Sequence, residues 1–468
     1  MTRQETLVQT PTDDVLRALH PDCPDWQRLG PTPRDAAIRA MAEAQRMQEE
    51  ERTAAWSGGF NRRTFLTGGL GVGVAALGAQ LVTSRVSYAA ADELDTGTLV
   101  VVFLRGGMDG LSMLVPAADP DLVKERPNIG VRKGLIDIDS GRTFGLHPAM
   151  APLAPLIAQG KVAAIPAVST PDLSRSHFQA QDCLERGSST TLSTGWLDRV
   201  LTASGPGTTF RSVAIGGTTP RSLTGAAMPI AMHDLGSIKL NVDKTETKAT
   251  TAALQALYTG LDHPIAKQTK LAIGALGTVA RITAADTAAA AASPGTAVQY
   301  PSGNFAAALR DLALLIKGGA GVRVACIDVG GWDTHTGMGN VDSGDMQAHL
   351  GDLAKALAAF TADLGSDLLD RTTVVTMSEF GRRVEENASG GTDHGHGGAV
   401  LVLGGGVNGG VHGQWKGLAH RTTYGDVLGS NDYRDVLTEV VSKRLDLSTG
   451  KLKHVFPGWR PKRLGIMA

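Results

Sequence analysis

Residues 98 to 104 run almost wholly apolar with no alternation, and the run stops at Arg105-Gly106-Gly107-Met108-Asp109-Gly110. A strand apolar on both faces belongs inside a sheet that helices cover on both sides. Helical spacing over residues 150 to 158 then leads through Gly160 into a second short apolar run at 162 to 168. This strand, helix, strand succession predicts a parallel crossover. Further apolar strands are predicted at 212–215, 322–329, 373–377 and 399–403, with helices at 250–261, 304–316, 346–364 and 432–445. Residues 286–303, rich in Ala, Thr, Ser, Gly and Pro, read as a mobile loop or linker. The expected fold class is α/β, a largely parallel central sheet flanked by helices.

Composition narrows this further. The 468 residues are 42% hydrophobic but only 4% aromatic, so the core is built mainly from Ala, Val, Leu and Ile. The formal net charge of -1, with no basic stripe, excludes the phosphate-neutralising surface of a nucleic-acid binder. Of the cysteines Cys23, Cys183 and Cys326, the first precedes the expected cleavage point, so no disulfide framework holds the fold. Cys326 sits in an apolar run and reads as a small hydrophobe, a Cys183–Cys326 bridge being the alternative.

The N-terminal region follows a different logic. Asn61-Arg62-Arg63-Thr64-Phe65-Leu66 precedes an uncharged stretch at 67–83, then Arg85 and Ser87-Tyr88-Ala89-Ala90-Ala91. Basic region, apolar region and small-residue cleavage site are the order of a signal peptide. The arginine pair resembles the twin-arginine signal, which makes the twin-arginine translocase the expected partner during export. Asn61 and Thr67 depart from its usual residues. An uncleaved membrane anchor is the alternative, but Gly68, Gly69, Gly71, Gly73 and Gly78 leave the run short of about 20 strongly apolar residues. The reading divides the chain into a leader at 1–91, with a polar helix at 33–52, and a single α/β domain at 92–468. The expected location is the periplasm, the cell envelope or the outside.

Most of the polar clusters follow a predicted strand, the edge where open α/β sheets collect ligands. Asp109 in its Gly-rich turn can approach a cation closely, or simply make a turn. Asp333 and His335, two apart in Gly330-Gly331-Trp332-Asp333-Thr334-His335, point the same way on an extended segment and can share one metal. Glu379 follows in Ser378-Glu379-Phe380-Gly381-Arg382-Arg383, and His394 and His396 in Thr392-Asp393-His394-Gly395-His396-Gly397. These oxygen and nitrogen donors suit one or two divalent ions, Zn or Mn rather than Ca. Such ions polarise a phosphoryl or sulfuryl oxygen and lower the pKa of bound water to about 7 in the best cases. In Ser174-Arg175-Ser176-His177-Phe178, Ser176 reads as a nucleophile with His177 beside it, or as a helix cap. Arg105, or Arg175, would hold an anionic substrate.

On Phe-Leu-Arg-Gly-Gly-Met-Asp-Gly at 103–110, Ser-His-Phe at 176–178, Gly-Trp-Asp-Thr-His at 331–335, Ser-Glu-Phe-Gly-Arg at 378–382 and Gly-Thr-Asp-His-Gly-His-Gly at 391–397, the chain resembles the domain of unknown function 1501 family. The resemblance covers roughly residue 95 to the C-terminus. That family is distantly similar to the alkaline phosphatase and sulfatase superfamily, which holds one or two metals at the strand ends of a largely parallel sheet. The resemblance implies an alkaline-phosphatase-like fold. It matches Asp109 to the first aspartate ligand and sets Ser176 near the nucleophile. It also places Asp333 and His335 at an Asp/His pair, Glu379 at the aspartate of Ser-Asp-His-Gly, and His394 or His396 at the last histidine. Phe380 stands where that motif has histidine, the Asp/His spacing is shorter, and no Cys-x-Pro-x-Arg segment is present. The expected function is a metal-dependent hydrolase of small phosphate or sulfate esters or a related envelope substrate. The alternative is a noncatalytic envelope or carbohydrate-binding protein that retains the fold.

Overall fold

Strand β1, Thr98–Leu104, is buried at every position in the computed structural model, as its unbroken apolar run requires. The structure describes residues 97–468 apart from 140, 142, 191, 228, 243–245, 259–263, 294 and 296. The leader, with Arg62 and Arg63, lies outside the described residues.

Eight further strands join β1: β2 Val162–Ser169, β3 Ser212–Ile215, β4 Ile230–Met232, β5 Val324–Val329, β6 Thr372–Met377, β7 Gly398–Gly404, β8 Gly410–Val411 and β9 Asn431–Asp432. Their spatial order is β8-β2-β7-β6-β1-β5-β3-β4, with β9 also pairing with β2. The block β6-β1-β5-β3-β4 is parallel throughout, with Val101 opposite both Cys326 and Val375. Only β7 runs against its neighbours β2 and β6. Its entry therefore lies at the edge where the parallel strands end. Three two-residue strands, Leu114–Val115, Ile136–Asp137 and Gly145–Leu146, form a small separate sheet.

The α-helices of seven or more residues are α1 His177–Arg186, α2 Trp196–Ser204, α3 Thr247–Tyr258, α4 Pro264–Ala292, α5 Asn304–Lys317, α6 Asp345–Asp370, α7 Tyr433–Arg444 and α8 Thr449–Val455, among the described residues. Side chains alternate across β1 with period two. Val100, Val102 and Leu104 enter one core with Leu309 and Leu312 of α5 and Leu353 and Leu357 of α6. Leu99, Val101 and Phe103 enter the other, with Leu197 of α2 and Val436 and Val440 of α7. The result is a three-layer α/β/α sandwich, the expected fold class. Cys183 and Cys326 are both free and buried, and Cys326 packs in the second core.

Two expectations are corrected here. Residues 286–303 were expected to form a loop, yet α4 continues to Ala292, because the run 288–292 is all alanine and alanine has the highest helix propensity. The stretch 150–158 is not one helix. It is a 3-10 segment, Pro148–Leu153, followed by Ala154–Ala158, since Pro148, Pro152 and Pro155 remove amide donors an α-helix would use. Among the described residues no helix is long and apolar enough to cross a membrane.

Candidate metal centre

Loops leaving β1, β2, β5 and β6, together with the loop entering β7, meet at one edge of the sheet. Gly107, just past β1, has φ +62, and the Phe380 ring occupies the space its Cβ would need. Glycine is required there on both counts. Gly395 is pressed against the backbone of Arg382, which lets the residues around it pair with the loop after β6 through the Arg382–His394 bridge.

Asp333 stands at the centre. Its Oδ1 accepts from the Arg382 guanidinium at 2.7 Å and lies 3.1 Å from Nε2 of both His335 and His394. Its Oδ2 lies 3.4 Å from His177 Nε2. The Nε2 atoms of His335 and His394 are 3.0 Å apart. His177, Asp333 and His394 offer ligand atoms all within 4.8 Å of one another. One carboxylate and two imidazoles this close together are the oxygen and nitrogen donors a small divalent cation takes.

Each imidazole is aimed from behind. Glu379 is fully buried, and its Oε1 faces His177 Nδ1 at 2.8 Å while accepting from the Gly106 amide and from Gln181. A carboxylate on the far nitrogen of a histidine fixes the ring and makes the near nitrogen a better metal donor. His394 Nδ1 lies 3.0 Å from the Arg175 carbonyl. Phe380 packs against both His177 and His394, with ring centroids 5.0 and 4.7 Å away. The residue that stands in place of a histidine thus braces two others.

Arg382 ties the edge together. It is 1% exposed and donates to the carbonyls of Gly106, Gly107, Trp332 and Thr392 as well as to Asp333. Sequence reasoning passed over it. The available signal was its place two residues after Phe380 in a strand-end motif.

Other expected site residues lie outside this group. Asp109 lies outside the His177, Asp333 and His394 group: both its oxygens accept from the guanidinium of Arg126, at 2.6 and 2.9 Å, and Oδ2 also accepts from the Ser112 amide. Glu379 is not in the ligand group but behind His177, its oxygens already engaged. His396 turns away, with Nε2 3.0 Å from the Thr170 carbonyl. Arg105, expected to hold an anion, is bound to Gln181, Glu185 and Asp328. Ser176 precedes α1 and makes no side-chain capping bond. His177, read as a neighbour of the nucleophile, joins the ligand group instead.

The charges are strongly coupled. Hydrogen bonds to Asp333 and then Glu379, which outweigh burial, raise the His177 pKa from 6.5 to about 9. Burial would raise Glu379, but its bonds from His177, Gln181 and the Gly106 amide lower it from 4.5 to about 2. Asp333 is likewise held well below the carboxylate range: burial opposes ionisation, and hydrogen bonds from His177, His335, His394 and Arg382 overcome it. Without a cation, His177 therefore stabilises the fold fully below pH 6.5, and this stabilisation is lost as pH rises through about 9. The Glu379 contribution is present above pH 4.5 and lost as pH falls through about 2. Chelated protein should unfold at its highest temperature between these limits. Added Zn or Mn should raise the unfolding temperature more at pH 8 than at pH 6, because the ion must displace the His177 proton. Equal shifts at the two pH values would count against His177 as a ligand.

A family model described as "Protein of unknown function (DUF1501)" matches residues 138–431, a span that begins after the Gly-rich turn at 105–110. No curated protein matches the sequence. Among solved structures, the chain is similar to a sulfatase-like protein from Bacteroides thetaiotaomicron, with TM-score 0.36, 10% identity and coverage of 79% of this chain and 76% of that one. It is also similar to a sulfatase from Pseudoalteromonas sp., with TM-score 0.30, 14% identity and coverage of 76% and 69%. A third is a Mg-bound variant of the alkaline phosphatase from the Antarctic bacterium TAB5, with TM-score 0.29, 11% identity and coverage of 68% and 94%.

Proposed function

Starting from the premise that the chain belongs to the DUF1501 family, we propose that it is an exported, metal-dependent hydrolase of phosphate or sulfate esters acting in the cell envelope. The observation that carries this reading is the convergence of His177, Asp333 and His394 at the strand ends, with Glu379 buried behind His177. A divalent cation bound there would neutralise an anionic ester oxygen and acidify a bound water.

The protein's own groups supply the rest. Arg382 holds Asp333 so that its carboxylate faces three imidazoles. Glu379 and the Arg175 carbonyl fix the near nitrogens of His177 and His394. His335 is 40% exposed at its side chain and bonded through Nε2, so it can take or return a proton at the site mouth. Ser176, beside His177, is the candidate nucleophile. The twin-arginine signal at Arg62-Arg63 would bring the folded chain to the translocase and allow the ion to be loaded before export.

One observation favours the noncatalytic reading: Asp109 and Arg105 are both consumed by internal ion pairs. Metal analysis of exported protein, with hydrolysis assays on aryl phosphate, aryl phosphodiester and aryl sulfate, separates the two. Turnover that chelation and His394→Ala abolish supports the hydrolase. Bound metal with no turnover on any ester would hand the case to the noncatalytic reading.

A further inference from the structure

The two histidines of the loop entering β7 divide their work. His394 faces the metal centre and braces the Arg175 carbonyl, whereas His396 braces the Thr170 carbonyl. On the His396 side lies a cavity of about 580 Å³. Ser169, Thr170, Pro171 and Leu173 line it, and the same segment runs on to His177 of the metal centre. Cavity and metal centre thus share two short stretches of chain, 169–177 and 394–396. The volume is within the range of about 300–1,000 Å³ usual for small-molecule sites.

The lining has a definite chemistry. Trp459 is locked in place, its indole N–H donating to Asp435 at 2.9 Å and the Arg434 guanidinium lying 3.9 Å from a ring centroid. The cavity's carboxylates are committed elsewhere: Asp432 binds Arg434 with both oxygens, and Asp435 accepts from Trp459 and from the Lys462 amide. Lys462 and Arg463, also in the lining, are exposed and have no ion-pair partner among the described residues. The lining thus carries two carboxylates and two cations, and of these four the cations are the exposed, unpaired charges while the carboxylates are already hydrogen-bonded. Gln414 is held through its backbone by Asn431, and its side-chain amide has no protein partner among the described residues.

We propose that this cavity binds an acidic saccharide, its ring packed on Trp459, its hydroxyls met by Gln414 and its negative group by Lys462 and Arg463. A pyranose has an apolar C–H face, a belt of hydroxyls that need donors and acceptors, and, when acidic, a charge. A fixed indole, an unpaired amide and two unpaired cations answer these three features in turn. The role of the cavity as the recognition pocket of the ester substrate rests on the hydrolase reading; the binding itself does not.

Isothermal titration of the full chain with a glucuronate-containing tetrasaccharide and with neutral cellotetraose tests this, with and without chelator. The acidic sugar should bind, chelator should not prevent it, and the neutral sugar should bind at least about tenfold more weakly. Trp459→Ala should weaken the acidic sugar about tenfold or more. Because that ring is part of the packing, the exposed pair Lys462→Ala and Arg463→Ala provides a second arm. It should weaken the acidic sugar alone and remove most of its salt dependence. Absence of binding at millimolar sugar, or binding unchanged in both variants, overturns the inference. Sugar binding without any ester turnover would sink the hydrolase reading and leave this one standing. Turnover of simple aryl esters without sugar binding would do the reverse.

Discussion

Replacing Arg126 by Ala is expected to destabilise the fold by about 3–5 kcal/mol, the cost of breaking a buried pair from one side. Arg126 and Asp109 are each 1% exposed and joined by two hydrogen bonds, so the substitution leaves a carboxylate sealed from water with no counter-charge. Burial alone would push the Asp109 pKa up, and the Arg126 charge is what holds it down. The guanidinium also donates to the carbonyls of Arg383 and Val384, so the loop after β6 loses support as well. Urea unfolding measures the effect. Replacing both partners, Asp109→Leu with Arg126→Met, should recover a good part of the loss, because no unpaired charge remains. The companion variant Asp109→Asn addresses function: folded protein should keep its full complement of bound cation. A loss of cation in folded Asp109→Asn would reinstate Asp109 as a ligand.

That outcome also marks where the sequence stopped being readable. The central strands β1, β2, β5, β6 and β7 stand out because burial on both faces demands continuous apolar runs. β8 and β9 are two residues each and leave no periodic trace, and the reversed direction of β7 is set by its neighbours. The Gly-Gly-Met-Asp-Gly turn advertised a carboxylate with room around it. Its partner Arg126, seventeen residues on, has no local signature. The two-residue spacing of Asp333 and His335 does bring them together, at 3.1 Å, whereas His394 and His396, also two apart, face different ways. The first pair follows a strand directly. The second sits in a loop whose histidines are pulled to different carbonyls, so spacing no longer fixes direction. Glu379 reads from the sequence as a site residue, and the structure sets it behind His177; whether such a carboxylate binds an ion or orients a histidine has no signature in the sequence.

Distinguishing those two positions gives the largest functional effect expected. Asp333→Asn removes the charge on which three imidazoles converge, and affinity for Zn or Mn should fall by more than about 100-fold at every pH. Glu379→Gln leaves all candidate donors in place and should cost about 10–100-fold, the range seen when the group behind a metal-bound histidine is lost. The two variants also differ in their response to pH. In the wild type the ion competes with a proton that His177 holds up to about pH 9, so affinity climbs between pH 6 and 9. Glutamine at 379 withdraws one of the two carboxylates that sustain that proton, so the climb should be shallower and should level off at lower pH. Titration calorimetry at several pH values reads both quantities at once. If Glu379→Gln abolished binding as completely as Asp333→Asn and kept the wild-type pH slope in any residual binding, Glu379 would be a ligand itself. If neither change altered affinity, the cation site would lie elsewhere.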